Sequence, residues 1–147
     1  MGRVRAVIFA VDELLQPPAA PATPEQLARA VEAVAPWCDV WLVGRTPLPL
    51  HPAAGGRVRR AASLEAAPAG PGTRGDAGVL VVGGRPQGAI RFANARHLTS
   101  ALVAADGPGQ APLSLGEVPD FILPDVGQVP QLLARMERDE GDFQGVE

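Results

Sequence analysis

Residues 4–11 read VRAVIFAV and residues 78–84 read GVLVVGG. Both are nearly continuous β-branched and aliphatic runs without an alternating polar face. A strand of this kind must be covered on both sides, and such strands lie in the middle of a parallel sheet with helices packed above and below it. The rest of the chain alternates accordingly. The segment TPEQLARAVEAVA predicts a helix, with Thr23 as N-cap, Pro24 at the first helical position, Gln26 closing a capping box and Pro36 placed to end it. Leu27, Ala30, Val31 and Val34 repeat on its apolar stripe.

A second strand is expected over 39–43 (DVWLV), ended by Gly44, and further strands over 100–104 and 120–123. Residues 86–96 can form a short helix. The segment VPQLLARMERDE closes the chain as a helix with Val129, Leu132, Leu133 and Met136 on one stripe, and Pro130 is tolerated because it sits in the first turn. Between 47 and 77 the sequence is rich in Pro, Gly and Ala, with a short strand at RVRRA and a short helix near 61–67 as its expected elements. The economical architecture is a three-layer α/β/α Rossmann-like parallel sheet: one domain over 1–139, with 140–147 expected as a flexible tail.

The chain has 147 residues and is 46% hydrophobic, enough for one ordinary core. Its net charge of −3, with both signs scattered, provides no basic face for nucleic acid. All thirteen basic residues are arginine, so any chemistry that needs an ammonium group has no side chain to use. One cysteine, Cys38, cannot form an internal disulfide and reads as a buried structural thiol, which fits a cytoplasmic setting. The apolar run between Arg5 and Asp12 is too short for a signal sequence or a membrane span.

In parallel sheets ligands sit beyond the C-terminal strand ends. The residues there are AVDELL, GRTP, GGRPQG, ADGPG and PDVG, in that order. This ordered set resembles the haloacid dehalogenase superfamily of phosphatases and related enzymes, over most of residues 4–134. The resemblance implies a capless or minimally capped domain. It also shows which functional residues are missing. Where the family has its nucleophilic, magnesium-binding Asp, this chain has Ala10; Asp12 matches the second Asp, the general acid and base, and Glu13 stands where the family has Gly. Gly44 replaces the phosphate-holding Ser or Thr, with Thr46 two residues late. The phosphate-neutralising Lys has no counterpart, and Arg57, Arg59, Arg60 and Arg74 lack a convincing context for the role. Gly84 and Gly88 stand at the acidic positions that would complete the magnesium site. Magnesium binding is therefore expected to be lost, and with it phosphoryl transfer.

The expected function is that of a catalytically inactive domain acting in protein binding, assembly or regulation, with a protein partner or a second copy, and without a metal or cofactor. Two alternatives stay open. One is a non-hydrolytic phosphate or nucleotide sensor using Arg45, Thr46, Gly83, Gly84 and Arg85. The other is a divergent phosphatase with Asp12 or Asp106 as nucleophile. A receiver-like or plain Rossmann-type domain is the rival at the level of fold, though no dinucleotide glycine fingerprint is present. Asp12 alone after a strand also reads as a cap on backbone N–H groups. His51 and His97 have no acid at triad-like spacing; Asp106, Asp120 and Asp125 read as turn formers or caps, Trp41 as core and Trp37 as an exposed contact residue.

Overall fold

The computed structural model describes residues 4–15, 22–50, 58–64, 78–104 and 115–136. Among them, six strands form one sheet: β1 (Ala6–Ala10), β2 (Asp39–Val43), β3 (Val58–Ala61), β4 (Val79–Gly83), β5 (Thr99–Val103) and β6 (Phe121–Leu123). Their spatial order is β3-β2-β1-β4-β5-β6, and every neighbouring pair is parallel. The chain thus builds outward from β1 in one direction, then returns to its other side with β4. The order reverses between β1 and β4, the place where open α/β sheets form a crevice at their carboxyl ends. This is a Rossmann-like α/β fold.

Strand β1 is central because its side chains alternate between two dry faces. Val7 and Phe9 join Val40, Leu42, Leu80 and Val82 in one core cluster, while Ile8 and Ala10 join Val43, Val79 and Val81 in the other. The first face is covered by α1 (Val11–Leu15), α2 (Pro24–Val34) and the final helix α4 (129–136), through Leu14, Leu27, Val31, Val34, Val129 and Leu132. The second is covered by a wide turn over Pro86–Ile90 that leads into α3 (Arg91–Ala95), through Ala89 and Ala93. Helices on both faces account for the polar-free strands.

Helix α2 carries the expected capping box: the Thr23 hydroxyl accepts from the Gln26 amide, and the Gln26 side chain accepts from the Thr23 amide. Such a cap contributes about 1 kcal/mol. Burial of Leu27, Val31 and Val34 contributes more, at about 1.5–3 kcal/mol for each side chain. Cys38 is buried, Trp41 packs against the second core cluster under Arg59, and Trp37 is 80% exposed. Strand β3 realises the RVRRA expectation; of the helix expected near 61–67, Ala61 belongs to β3 and 62–63 form a bend, while 65–67 lie outside the described residues, as do 140–147, His51, Arg57, Arg74 and Asp106.

One expectation is corrected. The strand predicted over 4–11 spans only Ala6–Ala10, and Val11 opens helix α1. Val11, Leu14 and Leu15 recur at helical spacing, and the first two are fully buried, so the apolar pattern of VDELL is satisfied only by a helix.

The described residues that lead into β6 are clamped by polar side chains. Asn94 Nδ2 donates to the carbonyls of Gly116 and Val118, Arg91 pairs with the buried Glu117 at 2.6 Å, and Asp120 accepts from the amide of the fully buried Ser100. Between α3 and β5 the chain turns through His97 with φ 60°, a left-handed conformation unfavourable for a residue with a Cβ. Replacing His97 by Gly is expected to raise stability by about 1 kcal/mol, read as a higher urea midpoint with an unchanged m-value.

Candidate functional site at the switch point of the sheet

Asp12 and Glu13 follow β1 directly, and each reaches across to a different neighbouring strand end. Asp12 turns towards β2. Its Oδ2 accepts from the Arg45 amide at 3.3 Å, and its Oδ1 accepts from the Thr46 amide at 3.3 Å and from the Thr46 hydroxyl at 2.7 Å. Glu13 turns towards β4. Its Oε1 accepts from the Arg85 amide at 3.2 Å and its Oε2 from the Ala89 amide at 2.8 Å, and the Gly84 amide also bonds this carboxylate.

These contacts have a local cause. The turn that begins at Pro86 has no side-chain cap of its own, because Arg85 occupies the capping position without making such a bond. Its first N–H groups need acceptors. Glu13 supplies them from more than seventy residues away in sequence, as a cap made by tertiary structure. Asp12 does the same for the loop after β2.

The glycines at the strand ends are shaped by these two acids. Gly44 has φ 130°, and a Cβ there would lie 2.8 Å from Asp12 Cγ. Only glycine combines that backbone with that approach. At Gly88 a Cβ would overlap Glu13 Oε2 and lie 2.6 Å from its Cδ. Two positions that the family resemblance marks as losses are thus occupied in space by the carboxylates of Asp12 and Glu13. Ala10 lies buried in the second core cluster beside Val43 and Ala89.

Electrostatics separates the pair. For Asp12 desolvation acts upward, but the Thr46 hydroxyl, the Arg45 and Thr46 amides and the Arg45 charge together outweigh it and hold the carboxyl below its ordinary value. For Glu13 desolvation is the larger effect and raises the carboxyl above its ordinary value, although the amides of Ala89, Arg85 and Gly84 and the Arg85 charge oppose it. The two therefore contribute to stability with opposite pH dependence. Asp12's contribution is present above pH 3.8, the ordinary value, and is lost as pH falls through its lowered folded value. Glu13's is fully present below pH 4.5 and is lost as pH rises through its raised folded value.

Of the residues singled out in the sequence, Arg45 and Thr46 converge on Asp12, while Gly84 and Arg85 converge on Glu13, with Gly83 within contact range of the same carboxylate. Asp120 is bonded to Ser100 away from this crevice, and Asp125 precedes the turn Val126–Gln128 without a side-chain capping bond. The sequence marks Glu13 only as a departure from the family's Gly and gives no sign of Ala89. An acid at 13 together with glycine at 88 was the available signal, but it has meaning only once β1 and β4 are known to be neighbours. Among the described residues, no three His, Cys, Asp or Glu side chains cluster as metal ligands. No helix among them is long and apolar enough to cross a membrane. No family model, curated protein or solved structure significantly matches this chain.

Two measurements check this geometry. Gly88→Ala is expected to cost about 2–4 kcal/mol in the wild-type background, by displacing a hydrogen-bonded carboxylate, but under about 1 kcal/mol when Glu13 is already Ala. Additive costs in this double-mutant cycle would show that the two positions do not interact. Glu13→Gln removes one titration, so the urea midpoint of the wild type should fall relative to that of the variant as pH rises from 4.5. A constant difference between the two curves would contradict the raised carboxyl.

Proposed function

We propose that this chain is a catalytically silent, capless member of the haloacid dehalogenase-like group, retained as a scaffold for binding a protein partner or a second copy of itself. The observation that carries the reading is the state of the crevice at the ends of β1, β2 and β4. Its two acids are bound to the loops that a substrate would have to use. A nucleophile or general base must turn an oxygen towards the reacting atom, which for these acids would weaken bonds that hold the neighbouring loops. Here the Asp12 oxygens accept three hydrogen bonds and the Glu13 oxygens accept from the amides of the opposite strand end.

The residues also do not fit a magnesium ion. Such an ion takes oxygen ligands in near-ideal octahedral geometry. Ala10, Gly84 and Gly88 bring no side-chain oxygen, and recruiting Asp12 or Glu13 would strip acceptors from backbone amides. Phosphoryl transfer rests on positioning and charge neutralisation, so losing the nucleophile and the metal ligands together removes the reaction.

For a binding role, the supporting residues are the exposed Trp37 at the entrance to β2 and, separately at the opposite edge of the sheet, Val118 and Ile122 before and within β6. Large apolar side chains held in solvent are common anchors of protein interfaces.

The test is a turnover assay with magnesium against a panel of small phosphate esters. It should give no signal above the buffer blank. Activity that disappears in Asp12→Asn would overturn the proposal.

A further inference from the structure

Beside the buried stripe of Leu27, Val31 and Val34, helix α2 carries a second stripe at helical spacing: Gln26, Arg29, Ala30 and Ala33. This stripe is one wall of a cleft of about 260 Å³. The other wall is Asp125, Gly127 and Pro130, where the chain turns from β6 into α4. None of these residues belongs to the crevice at the ends of β1, β2 and β4.

The two walls carry opposite charges that are not paired with each other. Asp125 has the extended backbone of an N-cap residue, yet its carboxylate caps no amide of the turn that follows. A Cβ at Gly127 would lie 3.0 Å from Asp125 Oδ1, so glycine leaves that carboxylate its place. Among the described residues, neither the Asp125 carboxylate nor the Arg29 guanidinium has a hydrogen bond or an ion pair. Gln26 uses Oε1 to accept from the Thr23 amide, which leaves its Nε2 group to donate on the same wall as Arg29.

We propose that this cleft binds a small free α-amino acid: its carboxylate on Arg29 and Gln26, its ammonium group on Asp125, and its aliphatic side chain against Ala30, Ala33 and Pro130. One exposed ion pair is worth little, so a ligand with a single charge gains little here, whereas a zwitterion engages both walls at once. The volume sets the size of the ligand. It falls just below the range of roughly 300–1,000 Å³ typical of drug-sized ligands, which suits an amino acid and not a nucleotide. The inference goes beyond the scaffold reading and stands apart from it, because the two sites share no residue.

The test is a titration of the full chain with L-valine at neutral pH, followed by amide resonances. Saturable shifts of Ala30, Ala33 and Gly127 are expected, with a dissociation constant of about 1 mM. Isovalerate and isobutylamine keep the side chain and one charge each, and should bind about fivefold more weakly or worse. Asp125→Asn should weaken L-valine and isobutylamine but not isovalerate; Arg29→Gln should weaken L-valine and isovalerate but not isobutylamine. The wild-type titrations decide the matter without either variant. Absence of saturable shifts at these amides up to about fifty times the expected dissociation constant would overturn the proposal. Singly charged analogues that bind as tightly as L-valine would do the same, as would folded variants with wild-type affinity for it.

Discussion

Two adjacent carboxylates at the end of the central strand, each accepting backbone N–H groups from the opposite neighbour, are the constraint on which this structure turns. Strand β1 already pairs with β2 and β4 through its own backbone. Asp12 and Glu13 extend that pairing past the point where the strands stop, by substituting side-chain oxygen for the next rung of carbonyl. Several amides of the loops after β2 and β4 find their acceptors in these two side chains.

That arrangement has a functional meaning because active sites usually leave some polar group under-satisfied or strained so that it can act on a substrate. A pair of acids pushed in opposite directions is itself a pattern that separates acid from base in enzymes. Here each displacement is the balance of burial against structural bonds: donors from the β2 loop outweigh burial for Asp12, and burial outweighs donors for Glu13. Structural bond networks perturb carboxyls as active sites do, so the displacement alone does not assign a catalytic role.

Much of the architecture was legible because its causes are local. The dry runs of β1 and β4, the capping box of α2, the Pro and Gly that bound it and β2, and the apolar stripe of 129–136 are short-range patterns, and each produced its element. The reading of Asp12 as a cap on backbone N–H groups also agrees with its bonds to Arg45 and Thr46. The end of β1 was misplaced because VDELL carries both an acidic loop signal and a helical repeat, and burial of Val11 and Leu14 decided for the helix.

What the sequence determined by itself is the layered parallel sheet, since strands without a polar face can be satisfied only between two layers of helix. It also determined that no lysine is available anywhere in the chain. What only the tertiary structure decided is where the two remaining acids point. Glu13 and Gly88 lie seventy-five positions apart, and no periodicity or motif links them. They meet because the order of the sheet reverses between β1 and β4, which brings a carboxylate against amides whose own segment offered them no cap.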